Sequence, residues 1–249
     1  MATLSKVVMM TCTGREQAAA ETLAAFADVG VPVDHVERQG EEPSLRMNGV
    51  NYARALRAAA GEDAFIIEDD LIPANTLGAW IEWVENQGYK VPVFFYLCQQ
   101  RWQSSDAARG MWDGGPDAPA GVEPVANLHT WWGTQAVWWP KEFTRGVLAL
   151  DRFQWEAYEL SAMDLELRNH LMDKVLTPLV TVPHLVQHRD YWRITGGSAP
   201  HKTSMFRPDA SPPVDNPQVA PVDNAVDNAV EKSSATLNPE PLAPRKRTK

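Results

Sequence analysis

Apolar positions along this chain come in short continuous runs that alternate with stretches of helical spacing. Val7-Val8-Met9-Met10-Thr11-Cys12 is the first run, and Thr13-Gly14-Arg15 closes it, the pattern of a buried strand and a turn. Residues 16–29 are Ala-rich, with Leu23 and Phe26 at helical spacing, and predict a helix. A second strand is expected over 31–36, then a gap holding Gly40, Pro43 and Gly49, then a helix over 51–60. A third strand at 64–67 ends directly in Glu68-Asp69-Asp70, and a helix over 75–86 follows it. A fourth strand is expected at 91–97. Residues 101–128, with Gly114, Gly115, Pro116, Pro119 and Pro124, read as a long loop. Residues 131–140 read as a strand interrupted by Gly133, residues 141–149 and 164–173 as helices, and residues 178–186 as extended chain leading to Gln187-His188-Arg189. Strands alternating with helices predict an α/β fold with a mixed, mostly parallel sheet flanked by helices. In such sheets ligands bind at the C-terminal strand ends.

Composition divides the chain. Of its 249 residues ten are Trp and nineteen Pro; every Trp lies between Trp80 and Trp192, whereas eight Pro follow Phe206, the last aromatic residue. Residues 207–249 lack a periodic apolar pattern and repeat Val-Asp-Asn at Val214, Val222 and Val226, so a folded body is expected over 1–206 and a disordered tail over 207–249. The tail ends in Arg245-Lys246-Arg247-Thr248-Lys249, and its six basic and six acidic residues cancel. The formal net charge of −9 therefore belongs to the body. An acidic body is poorly suited to nucleic acid, which needs clustered Lys and Arg to replace counterions. It suits a divalent cation. Cys12 and Cys98 lie in apolar runs and are expected to be reduced, buried thiols. With neither a signal-peptide pattern nor a long apolar run, the expected compartment is the cytoplasm, with no membrane span.

Glu68-Asp69-Asp70 is the sharpest chemical feature. Three adjacent carboxylates at a strand end repel one another unless a cation or hydrogen-bond donors compensate them. Hard oxygen ligands of this kind suit Mg²⁺ or Mn²⁺. The plain alternative is a solvated acidic turn ahead of the next helix.

Set in its context, the triplet resembles the DxD-type element of GT-A glycosyltransferases. Five further stretches are similar to the same group. Thr11-Cys12-Thr13-Gly14-Arg15 looks like the first strand–turn that holds the nucleotide. Asn48-Gly49-Val50-Asn51-Tyr52-Ala53-Arg54-Ala55 resembles the helix preceding the acidic motif. Gly133-Thr134-Gln135-Ala136-Val137, with Phe143 and Leu148 after it, resembles the Gly-Thr-x-Ala segment of glycosyltransferase family 25, the lipopolysaccharide type. Met163-Asp164-Leu165 and Pro183-His184-Leu185-Val186-Gln187-His188 look like that family's Asp-bearing helix start and its Pro-x-x-x-Gln segment. The order agrees over about residues 5–206. The chain departs from the family at Val137, where a Tyr is usual, at Trp138-Trp139-Pro140, which replaces Ile-Ser, and in lacking the Ser-His start of the helix before the acidic motif.

The resemblance implies a metal-dependent enzyme of the hexosyltransferase type. It would transfer sugar from a nucleoside diphosphate donor, above all a UDP-sugar, to a hydroxyl on a glycan or protein acceptor, with Mn²⁺ or Mg²⁺ as cofactor. It makes Asp70 a metal ligand and His188 a second, with His184 competing for that place. It puts Glu68 and Asp69 on the ribose and donor sugar. Thr11, Thr13, Arg15, Asn48, Arg54, Gly133, Thr134 and Gln135 become further donor contacts, and Asp164 the general base. Asp164 equally suits the first turn of its helix, where a carboxylate is favoured in any case. Aromatic faces stack on sugars, but consecutive Trp on a strand point to opposite faces. One of Trp131-Trp132 and one of Trp138-Trp139 are therefore expected in the core, leaving the other of each pair for a site. Trp80 and Trp83, three apart on a helix, are expected to pack. Two other classes stay open: a catalytically silent nucleotide-sugar-binding or interaction protein of the same fold, and a metal-dependent hydrolase or nucleotidyltransferase built on the acidic triplet.

Overall fold

The computed structural model describes residues 5–40, 45–59, 61–96, 120–125, 134–149, 163–189 and 206–213, with 45–47 and 163–165 described by backbone alone. The elements are β1 (Lys6–Cys12), α1 (Glu16–Asp28), β2 (His35–Gln39), α2 (Leu45–Ala58), β3 (Ala64–Glu68), β4 (Leu71–Pro73), α3 (Leu77–Gln87), β5 (Val93–Phe94), β6 (Gly121–Pro124), β7 (Ala136–Trp139), α4 (Lys141–Leu148), α5 (Met163–Asp173), β8 (Leu179–Val182) and β9 (Val186–His188). Seven strands form one sheet in the order β2-β1-β3-β7-β5-β8-β6, and β4 and β9 form a separate two-stranded ribbon. β1 runs parallel to β2 and β3, and β5 runs parallel to β8; β7 and β6 run against their neighbours. Five of the seven strands thus share one direction, giving the mixed, mostly parallel α/β sheet that the alternating pattern predicts.

Helices cover both faces, so the central strands are apolar without alternation. Val7, Met9, Phe65 and Ile67 pack with Ala19 and Phe26 of α1 and with Leu77, Trp80, Ile81 and Val84 of α3. On the opposite face Val8, Met10, Ala64 and Ile66 pack with Val50, Tyr52, Ala53 and Leu56 of α2, Phe143 and Val147 of α4, and Leu167 and Leu171 of α5. This two-sided cover corrects the expectation for Trp138 and Trp139. They do point to opposite faces, but each face is a core, and both are buried. Neither lines a site. Trp131, Trp132 and Cys98 lie outside the described residues, and Cys12 is a buried free thiol.

Several boundaries differ from the apolar pattern for local reasons. The second strand begins four residues late, at His35. Pro32 has no N–H to give a ladder, and the Asp34 carboxylate accepts the Val7 N–H at 2.8 Å where pairing would otherwise start. α2 begins at Leu45 and runs through Gly49, which is buried. An interior glycine costs a helix about 1 kcal/mol, which the apolar face of α2 outweighs. Part of the expected 101–128 loop is an edge strand, β6, paired antiparallel to β8; Pro124 is tolerated there because an edge leaves one row of N–H groups unpaired. The expected fourth strand shrinks to the ladder residues Val93 and Phe94, with Phe95 and Tyr96 buried beyond it.

The packed chain also extends past residue 206. The Asn75 N–H donates to the Pro208 carbonyl at 2.7 Å, and the Trp80 indole N–H donates to the Ala210 carbonyl at 2.7 Å. These bonds hold residues 207–213 on α3, so polar, Pro-rich composition there does not mean loss of contact with the body. The chain divides into Met1–Val214 and Asp215–Lys249, and the second unit lies outside the described residues. Among the described residues no helix is long and apolar enough to cross a membrane.

Candidate metal centre at the end of β3

β1 and β3 are parallel neighbours, so their C-terminal ends open on the same edge of the sheet. From β1 come Thr11 and, after the turn at Gly14 (φ +86°), Arg15; from β3 come Glu68, Asp69 and Asp70. The left-handed backbone at Gly14 is what returns the chain sharply enough to lay Arg15 over the carboxylates. The third contributor is the β4–β9 ribbon. Its register pairs Leu71 with His188, which sets His188 beside the residue following Asp70.

Arg15 is a clamp. Its Nε donates to Asp69 Oδ1 at 2.8 Å, and its Nη2 lies 2.7 Å from the same oxygen and 2.5 Å from Asp70 Oδ2. Thr11 Oγ1 donates to Asp69 Oδ2 at 2.6 Å. Burial raises the Asp69 pKa above its usual value, and Arg15 and Thr11 offset only part of that rise. Burial likewise opposes charge on Arg15, but the bonds and Coulomb attraction of Asp69 and Asp70 outweigh it and raise its pKa, keeping it charged. Arg15, Asp69 and the Thr11 hydroxyl are thus bound to one another inside the protein.

Asp70 has one oxygen on Arg15 and one available for another task. Oδ1 accepts no hydrogen bond among the described residues, although it is buried. It lies 3.3 Å from His188 Nε2. His188 Nδ1 lies 2.9 Å from the Arg189 carbonyl, and because a carbonyl only accepts, Nδ1 is the N–H of this pair. In that tautomer Nε2 carries the lone pair, on the side where Asp70 Oδ1 lies 3.3 Å away. An imidazole whose far nitrogen is held by a carbonyl is the usual preparation of a histidine for a metal. Glu68 completes the group: one ligand atom from each of Glu68, Asp70 and His188 lies within 4.8 Å of the others. The donor set fits a divalent cation. Three carboxylates against one contacting guanidinium also leave the spot acidic. Glu68, expected on the ribose, thus lies with Asp70 and with His188, the histidine expected there ahead of His184.

The other expected residues fall on or near this edge. Thr13 is exposed, and its N–H and hydroxyl both donate to the Gln39 carbonyl, at 3.1 and 3.3 Å. Asn48 and Arg54 are half-buried on α2, one turn either side of Asn51, whose Nδ2 donates to the Thr11 carbonyl at 3.1 Å. Thr134 is buried, and its carbonyl accepts from Tyr52. The Gln135 carbonyl accepts the Glu68 N–H at 2.9 Å, which puts Gln135 beside the acidic group. Asp164 stands in the first turn of α5, with its side chain outside the description, and Gly133 lies outside the described residues altogether.

His184 is 1% exposed, and its ring lies 5.9 Å from that of Tyr96. Burial lowers its pKa from the usual 6.5 to about 3. The unfolded chain takes up this proton near pH 6.5, whereas the folded chain refuses it until about pH 3. Stability from the neutral ring is therefore complete above pH 6.5 and lost as the pH falls. At pH 5 the loss is about 2 kcal/mol. Urea midpoints at pH 8 and pH 5 check this: His184→Phe should have a shallower acid decline than the parent, and an equal decline would place the titration elsewhere.

Sequence reasoning passed over Thr22, Asn51 and Arg189, which hold the edge together. Thr22 carried a visible signal: it is the one polar residue on the buried face of α1, among Ala18, Ala19 and Phe26. Compared with known proteins, the chain matches no family model and no curated sequence.

Proposed function

We propose that this chain is a metal-dependent glycosyltransferase of the GT-A type, resembling family 25. In this reading it moves a sugar from a nucleoside diphosphate donor, UDP-sugars first, to a hydroxyl of a glycan or protein. The observation that carries it is the meeting of Glu68, Asp70 and His188 at the C-terminal end of a central strand, where α/β sheets bind ligands. Those three residues would hold the ion, and an imidazole beside carboxylates favours Mn²⁺ over Mg²⁺. Bound there, the ion supplies positive charge against a departing diphosphate.

The chain's own groups have separate tasks. Arg15 and Thr11 fix Asp69 and Asp70 so that the ligand oxygen needs no reorganisation. Thr13 and Gln135 border the opening for the donor. Asp164 is the base that takes the acceptor hydroxyl's proton. The test is a melting experiment with UDP and a panel of nucleotide sugars, with and without Mn²⁺, followed by a transfer assay. Mn²⁺ and UDP together should stabilise by about 2.7 kcal/mol at a hundredfold excess over Kd, a rise of roughly 5–10 °C. No rise with any nucleotide sugar and Mn²⁺ counts against the proposal.

One observation favours a second reading. Arg15 already supplies an internal counter-ion to Asp69 and Asp70, so the group stays assembled without any catalytic step. In that case the protein binds nucleotide sugars without turning them over. Stabilisation by UDP and Mn²⁺ with no UDP release from any donor selects this alternative.

A further inference from the structure

Asp70 can serve as a ligand only if the turn that carries it is held in place, and the turn holds little of its own. It comprises Asp69 and Asp70 between β3 and the three-residue strand β4. Arg15 and Thr11 hold its two side chains, and the grip on its backbone comes from α1. Thr22 is fully buried, and its hydroxyl donates to the Asp69 carbonyl at 2.9 Å and accepts the Leu71 N–H at 3.2 Å. One hydroxyl thus bridges the backbone on both sides of Asp70. The far side is closed by the Arg189 N–H, which donates to the Asp70 carbonyl at 2.7 Å. Arg189 in turn reaches Leu71 O and Glu21, the neighbour of Thr22 on α1.

The placement is specific to a β-hydroxyl. Ala18, Ala19 and Phe26, the other buried residues of α1, have no polar side-chain atom. A threonine inside a helix usually returns its hydroxyl to its own preceding turn. Here the hydroxyl leaves the helix and bonds residues 47 and 49 positions away in sequence. Without it, the Asp69 carbonyl and Leu71 N–H lose a partner in a dry site, and the turn rotates to find another. Rotation of this turn carries Asp70 Oδ1 away from His188.

We propose that Thr22 is the positioning residue that sets the aim of Asp70, and with it the Mn²⁺ affinity of the Glu68–Asp70–His188 group. This rests on the metal-centre reading above. Supports behind metal ligands govern affinity by about 10–100-fold. The experiment is titration of the full chain with Mn²⁺ alone, by calorimetry and by the electron paramagnetic resonance signal of free Mn²⁺. Folding is followed in EDTA by circular dichroism. Thr22→Val, of equal shape and without the hydroxyl, should bind Mn²⁺ about 10–100-fold more weakly than the parent. Thr22→Ser should return to within about threefold of the parent, because the hydroxyl is restored. If Thr22→Val does not fold, Thr22→Ala is used instead, since its smaller side chain leaves space for a water at the Leu71 N–H.

A structural role alone lowers the melting temperature in EDTA and leaves the affinity of the folded protein unchanged. Equal affinity in parent and hydroxyl-free variant, or no rescue by serine, overturns the role of Thr22 while leaving the metal centre standing. No Mn²⁺ uptake by the parent overturns the centre and the role together.

Discussion

Asp70→Asn protein is expected to bind Mn²⁺ at least roughly 100-fold more weakly than the parent and to lose Mn²⁺-dependent stabilisation by UDP. The estimate starts from the 10–100-fold cost of losing a support behind a ligand; losing a ligand oxygen itself costs no less. Asparagine keeps the shape of the side chain but brings no negative charge to His188 Nε2 and Glu68, the other members of the group. The fold should persist, since Arg15 keeps both of its contacts to Asp69 and the Asp70 backbone keeps its bond from Arg189. Circular dichroism and calorimetry on the same sample separate the two effects. Equal Mn²⁺ affinity in parent and variant, with the fold intact, would show that Asp70 is no ligand.

Arg15→Met protein should show the largest stability effect. The guanidinium is the only cation in contact with Asp69 among the described residues, and both partners are almost wholly out of water. Breaking a buried ion pair from one side leaves an uncompensated charge and costs about 3–5 kcal/mol near neutral pH. The pH dependence identifies the cause. Burial already raises the Asp69 pKa, and loss of Arg15 removes what opposes the rise. The folded variant then holds a proton on Asp69 at a pH where the unfolded chain has released it. A raised carboxyl pKa gains folded-state stability as the pH falls through it, so the deficit against the parent should be greatest at pH 7–8 and shrink toward pH 4.5. The acid loss from His184 is common to both proteins and cancels in the difference. Urea midpoints at the two pH values measure this, and a deficit constant with pH would argue for packing of the Arg15 stem and not for its charge.

The two predictions bear differently on function. Asp70→Asn asks whether the group is a metal site at all. Arg15→Met asks what keeps three carboxylates together before any ligand arrives. A cluster that takes no metal answers only to the second, a metal centre to both.

Much of the fold was legible because it depends on one-dimensional patterns. Val7–Met10 and Phe65–Ile67 are apolar on consecutive positions because both faces of β1 and β3 are covered. The carboxylates directly after Ile67 marked the C-terminal edge of β3, where Glu68, Asp70 and His188 meet. Where a boundary was misplaced, one local competitor had intervened: the Asp34 carboxylate on the Val7 N–H, or the bonds from Asn75 and Trp80 that retain residues 207–213.

The site was legible as residue types and not as roles. Glu68, Asp69 and Asp70 look alike in a row, yet one turns to Thr11 and Arg15, one divides its oxygens between Arg15 and His188, and the third faces the metal group. Neighbours on a strand end diverge by geometry, and the direction each takes depends on partners far away in the chain.

By itself the sequence determined the α/β class and the acidic edge, because strand and helix periods and charge are properties of short segments. Tertiary structure decided which histidine meets Asp70 and what else Asp70 faces. The ribbon that brings His188 to Asp70 has three residues in each strand, too few for any periodic signal, and its register exists only through pairing across more than a hundred residues. Thr22 reached the same turn from α1 by a single hydroxyl, a contact that no spacing rule encodes.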